Sequence, residues 1–254
     1  MICPTDATPA PPFQAVLFDT EGTLFRRTGG SALEKDLEGF RRAHRILTES
    51  GLPLPDLRTA FGLVHQQLSR ARAGLAYGNF REISIPALVH AFVAKAFPDA
   101  PEDPVEKALE AWYEPHAASV RALPGAREAL LAARDRGWKI AASGNTAWGS
   151  RYLERDLEHA GLSDLPDAVL GSADAGYRKP NLLLFQQALD RLETPGTKTL
   201  HVGDDPKEDL EAPQEMGMTA VLVAPPGSAP RADHTVSCLA ELPALLAELA
   251  KAER

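Results

Sequence analysis

The spacing of short apolar runs constrains this chain more than any other feature. "AVLFD" (15–19), "WKIAAS" (138–143), "DAVLGS" (167–172), "TLHVGD" (199–204) and "TAVLVA" (219–224) are of strand length, and most are followed by Gly or a polar residue. Continuous runs of this kind suit strands buried on both faces of a parallel sheet. Helical patterns fill the gaps at 125–136, 146–160, 181–193, 208–217 and 241–252. Strand alternating with helix predicts an α/β fold, a doubly wound parallel sheet with right-handed crossovers.

The first and second runs are separated by a long stretch without a strand signal, far too much for one crossover. That stretch reads as helical. Ser31 with Glu34 is a capping box opening a helix that runs to Gly51, Asp56 starts a second helix, Ser84 a third, and "EDPVEKALEAWYEPHA" carries a fourth. The expected organisation is an extended leader at 1–14, an α/β core at 15–26 and 119–254, and an inserted α-helical cap at 27–118.

The chain of 254 residues is 44% hydrophobic and 24% charged, as expected of a soluble globular protein with a sizeable interior. Its formal charge of −8 gives no global field for nucleic acid or an anionic membrane, so an anionic substrate must be drawn by local charges. Cys3 and Cys238 exclude a disulfide framework and suit a reducing cytoplasm. No segment approaches the roughly 20 apolar residues of a membrane span. The Pro-rich opening lacks the basic start and apolar run of a signal peptide.

Ligands of open α/β sheets bind beyond the carboxyl ends of the strands. Asp19, Ser143, Asp174 with Lys179, and Asp204 with Asp205 and Asp209 all follow expected strands at that end, so they should converge. "FDTEGTL", "AASGN", "GYRKPNLLLF" and "HVGDDPKED" occur in that order. Together with the inserted cap, these strings resemble the four motifs of the haloacid dehalogenase-like hydrolase superfamily, in the subfamily whose helical cap lies between motifs one and two.

The resemblance implies a phosphomonoester hydrolase acting on a small phosphorylated metabolite. Asp19 would be the nucleophile forming an aspartyl-phosphate. Glu21 would be the general acid and base, and Ser143, Lys179 and backbone amides near Glu21 and Gly144 would hold the phosphoryl group. Close pairs in such an acid cluster cost about 4 kcal/mol each at an effective dielectric near 20, so cations are required. Lys179 supplies one. The resemblance implies Mg²⁺ as the other, on Asp19, Asp204 and the Glu21 main chain, with Asp209 orienting metal-bound water or Lys179 from behind. Asp205 has no assigned role.

Departures from the pattern narrow the chemistry. Dehalogenases of the superfamily carry Tyr where Glu21 stands, phosphonate-cleaving members Ala, and most phosphatases Asp. Glu occurs in the enolase-phosphatases that share "D-x-E-G-T". Glu211 stands where Gly is usual. In the insertion, "HQQLSRARAGLAYGNFRE" gathers His65, Arg70, Arg72, Tyr77 and Arg81. Arg72 and Arg81 are the candidate substrate contacts there, against the alternative of a charged helix face. Trp148 either walls the site or belongs to the core. The rival activities are a phosphoryl-transferring mutase and a member that binds a phosphorylated ligand without turning it over.

Overall fold

The computed structural model describes residues 13–75, 80–225, 227 and 231–251. Most of the expected leader, Cys3 and Tyr77 lie outside the described residues. The strands are β1 (Ala15–Asp19), β2 (Phe25–Arg27), β3 (Val120–Ala122), β4 (Lys139–Gly144), β5 (Ala168–Gly171), β6 (Thr199–Gly203), β7 (Thr219–Val223) and β8 (His234–Val236). The helices are α1 (Ala32–Glu49), α2 (Leu57–Leu75), α3 (Ile85–Ala96), α4 (Glu102–Ala117), α5 (Ala126–Arg134), α6 (Ser150–His159), α7 (Ser172–Ala175), α8 (Leu182–Leu192), α9 (Glu211–Glu215) and α10 (Leu242–Leu249).

Six strands form a parallel sheet in the order β5-β4-β1-β6-β7-β8. Successive side chains of a strand point to opposite faces. Accordingly Val16 and Phe18 of β1 pack with α5, α6 and α10, while Ala15 and Leu17 pack with α8 on the other side. This double burial explains why the strand sequences read as continuous apolar runs. Truncating a fully buried aromatic such as Phe18 in this setting costs about 3–5 kcal/mol.

Helices α1 to α4 are inserted between β1 and β4, and their starts follow the sequence signals. Ser31 and Glu34 make the capping box, Asp56 accepts the amides of Arg58 and Thr59 at 3.1 and 3.2 Å, and Ser84 accepts that of Ala87 at 3.2 Å. Helices α1 and α4 pack so closely that a Cβ at Gly39 would lie 1.9 Å from the Trp112 carbonyl oxygen. Trp148 belongs to the core: its ring meets Trp112 at 5.3 Å and Tyr152 at 5.1 Å, in a cluster joining α4 to α6.

Some elements differ from the sequence expectation. An antiparallel ribbon, β2 with β3, frames the two ends of the insertion. The helix expected from residue 146 begins only at Ser150, because Gly149 (φ 92°) interrupts it. The helix expected at 208–217 shortens to α9, because 205–209 turn back on themselves through the Asp209 amide and the Asp205 carbonyl, 2.8 Å apart.

Candidate active site

The carboxyl ends of β1 and β6 lie side by side, where the sheet order reverses, and this is the crevice in which open α/β sheets hold ligands. Asp19 ends β1 and is paired in register with Ser143 of β4. Asp204 follows β6, and Lys179 arrives on the loop between α7 and α8. Lys179 is fully buried, donates to Asp19 Oδ1, and lies 2.7 Å from Asp209 Oδ1. Asp209 also accepts from His201 Nε2 at 3.0 Å and from the Asp205 amide at 3.2 Å. Oxygens of Asp19, Asp204 and Asp209 lie within 4.8 Å of one another.

The residues around these acids explain the local sequence. Thr23 Oγ1 donates to Asp204 Oδ1 at 3.1 Å. Gly22 has φ +105°, and a Cβ there would stand 2.5 Å from both Asp204 oxygens, so glycine answers both a left-handed turn and a close approach. Gly203 gives Asp209 the same clearance, 2.3 Å from Cγ to a would-be Cβ. Asn145 accepts the Lys179 amide at 2.7 Å and donates to Glu208 Oε2 at 2.7 Å, fixing the Lys179 loop to the end of β4.

Burial pushes the Asp19 carboxyl up to about 7, with Asp209 and Asp204 adding to the effect and Lys179 opposing it. Burial would also raise Asp209, but Lys179 and His201 outweigh it and hold this carboxyl well below the usual range. Burial alone would lower Lys179; its two carboxylate partners reverse that, so the ammonium stays charged at neutral pH. Burial lowers His201, whose neutral ring donates to Asp209 in the Nε2–H tautomer. Half-buried Asp204 is raised by desolvation.

Among the described residues six buried side-chain polar atoms have no hydrogen-bond partner, and two of them, Asp19 Oδ2 and Ser143 Oγ, stand side by side at the ends of β1 and β4. Buried polar groups are nearly always paired, so these two atoms suit a ligand. Converging carboxylate oxygens are the donor set of a hard divalent cation. With oxygens of Asp19, Asp204 and Asp209 converging and a glycine leaving space beside Asp204, the residues present fit Mg²⁺.

A cavity of about 220 Å³ opens over Asp19, and its walls include Glu21, Gly144, Asn145, Arg178 and Glu208. The Glu21 side chain is 55% exposed and accepts from Arg27 Nε at 3.2 Å. Arg72 lies on the exposed face of α2, and exposed Arg81 stacks over the Tyr177 ring at 5.9 Å. Neither is among the residues lining the cavity, whereas Arg27 and Arg178 are. Asp205 stays at the turn, where its Oδ1 accepts the Lys207 amide at 2.8 Å. Asp174 does not join the acids; it accepts the Ser150 amide at 2.6 Å, satisfying the unpaired start of α6. A larger cavity of about 920 Å³ beside α8 contains none of the strand-end acids.

Sequence reading did not single out Arg27, Asn145, Arg178 or Glu208. Asn145, Arg178 and Glu208 stand inside "AASGN", "GYRKPNLLLF" and "HVGDDPKED", which was the available signal, whereas Arg27 stands in none of the motifs.

A family model described as haloacid dehalogenase-like hydrolase matches residues 13–217. The ribulose-1,5-bisphosphate 5-phosphatase of Halopiger xanaduensis is 30% identical over 145 residues, which is 52% of this chain and 60% of that enzyme. The match thus spans less than two thirds of the relative's length. The glyceraldehyde 3-phosphate phosphatase of Methanothermobacter thermautotrophicus is 24% identical over 212 residues, 83% of this chain and 85% of its own. Among solved structures, a 2-haloacid dehalogenase from Pseudomonas syringae superposes with a TM-score of 0.59 at 24% identity, over 93% of this chain and 99% of its own, a likeness of fold. The motifs in order, the six-stranded sheet with its helical insertion and the family match lead to one conclusion: this chain belongs to the haloacid dehalogenase-like hydrolases.

Proposed function

We propose that this chain is a Mg²⁺-dependent phosphatase of small phosphorylated metabolites, working through a phosphoryl group carried on Asp19. The observation that carries this reading is the state of Asp19: one oxygen on the Lys179 ammonium, the other buried without a partner beneath the cavity. The phosphatase names of two relatives support it, and the cavity of about 220 Å³ suits a small substrate.

In the first step Asp19 Oδ2 attacks phosphorus. The Asp19 O–P bond forms as the ester P–O bond breaks, and the leaving oxygen takes a proton from the Glu21 carboxyl. In the second step water attacks the same phosphorus and gives a proton to Glu21, and the bond to Asp19 breaks to release orthophosphate. Lys179, Ser143 Oγ and the Gly144 amide are the donors aimed at the transferring group. Asp19, Asp204 and the Glu21 main chain would hold the cation, and Asp209 would hold Lys179 in place. When bound, Mg²⁺ supplies positive charge that offsets the acids and polarises phosphoryl oxygens. The few cysteines fit work in a reducing cytoplasm.

The test is a screen of phosphorylated metabolites, with aryl phosphate as a general probe, in Mg²⁺ and in chelator. Phosphate release that needs Mg²⁺ and is lost in Asp204→Asn is expected. Equal release in chelator would overturn the metal assignment.

A further inference from the structure

Arg27 ends β2, immediately before the insertion, and every N–H of its guanidinium has an acceptor. Nη1 donates to the His116 carbonyl at 3.0 Å and to Asp156 Oδ1 at 3.1 Å. Nη2 donates to Tyr113 Oη at 3.0 Å and to Asp156 Oδ2 at 2.5 Å, while Tyr113 itself donates to Asp156 Oδ2 at 2.6 Å. The remaining donor, Nε, meets Glu21 Oε2 at 3.2 Å. Asp156 is fully buried on α6, and Tyr113 and His116 belong to α4 of the insertion. The planar fork is therefore fixed on one side by a bidentate carboxylate pair, a geometry that holds an arginine rigidly.

We infer that Arg27 is a positioning residue that orients Glu21 for proton transfer, and that glutamate, rather than aspartate, stands at this position because its carboxylate reaches Arg27. This rests on the reading of Glu21 as the acid and base. Two features of the geometry carry the inference. The pair with Asp156 already neutralises Arg27, so the Nε contact is not needed for charge balance. Glu21 is otherwise a largely exposed side chain on a glycine-containing turn, where free rotamer exchange would leave its carboxylate unplaced. An aspartate side chain is shorter by one C–C bond, about 1.5 Å, and would draw the carboxylate away from a donor that cannot follow it. Misplacement of about 1 Å can cost on the order of 100-fold in rate.

The test compares the parent with Arg27→Lys, Glu21→Asp and the double variant on a series of aryl phosphates whose phenols range from strongly to weakly acidic, in Mg²⁺. A positioned acid matters most for the poorest leaving group. Arg27→Lys keeps a cation against buried Asp156, and Glu21→Asp leaves the Asp156 pair intact, so a folding defect in one variant does not spoil the other; thermal unfolding monitors both. For phenyl phosphate, each variant is expected to lose about 10- to 100-fold in kcat, with a smaller loss for nitrophenyl phosphate and little change in KM. The double variant should lose no more than the worse single one, because both break the same contact. The inference is overturned if folded Arg27→Lys keeps the parent's leaving-group dependence, or if the two losses multiply. A parent without phosphatase activity would instead refute the proposed function itself.

Discussion

Replacing Lys179 with Met keeps an apolar stem of similar length and removes the ammonium that bonds both Asp19 and Asp209. In the metal-free protein that cation touches Asp19 Oδ1 and lies 2.7 Å from Asp209 Oδ1, and none of the three side chains is more than 8% exposed. Oxygens of the two acids lie within 4.8 Å, so at an effective dielectric near 20 their repulsion is on the order of 3–4 kcal/mol once both are ionised. Breaking a buried pair by deleting one partner typically costs about 3–5 kcal/mol, which agrees. Asp19 already sits at about 7, so it can relieve the strain by taking up a proton, and the loss should shrink as pH falls toward 5. For a chain of this size the loss corresponds to a fall in Tm on the order of 10 °C. Thermal unfolding followed by circular dichroism in chelator, at pH 8 and pH 5, measures it. Lys179→Met should lose several kcal/mol at pH 8 and less at pH 5, and adding Asp19→Asn should recover part of the loss. A loss below about 1 kcal/mol at pH 8, or no recovery in the double variant, would refute the electrostatic reasoning.

Two further outcomes are expected. Gly22→Ala puts a Cβ 2.5 Å from the Asp204 oxygens at a φ of +105°, so calorimetric titration should find much weaker Mg²⁺ binding by a protein that still folds; parent-like affinity would contradict this. The Asp19 contribution to metal-free stability should fall as pH rises from about 4 to about 7: folded Asp19 holds its proton more tightly than the unfolded chain, so its contribution is full below the unfolded value of 3.8 and is lost as pH rises through about 7. Asp204 and Glu208, also raised by burial, act in the same direction; Asp209, held low, acts only at more acid pH, and His201, lowered by burial, acts in the opposite direction below 6.5, so the Asp19 share is read as the difference between the parent and Asp19→Asn. The slope from one such group is at most about 1.4 kcal/mol per pH unit; Asp19→Asn should flatten the profile, and an unchanged slope would contradict the assignment.

The sheet was legible because double burial writes itself as unbroken apolar runs, and strand ends such as Asp19 and Asp204 announce a crevice before any contact is known. The insertion's helices were legible because Ser31, Asp56 and Ser84 make their caps within three residues, a range that sequence shows directly. Strands of three residues, β2, β3 and β8, are too short to display a period. The Arg27 clamp was hidden for a different reason: Tyr113 and Asp156 are 86 and 129 residues away, and the ribbon pairing Arg27 with Val120, together with the packing of α4 on α6, brings them together. Arg178 and Glu208 reach the cavity through loop geometry that no periodicity encodes.

In the proposed reaction the phosphoryl group passes through Asp19. The most direct measurement is mass spectrometry of Glu21→Gln protein mixed with Mg²⁺ and nitrophenyl phosphate and quenched in acid within the first turnovers. Without a base to activate water, a phosphoryl group should accumulate on the peptide that contains Asp19, and none should be found in the same variant carrying Asp19→Asn. Label on another residue, or steady phosphate release by Asp19→Asn alone, would contradict the claim.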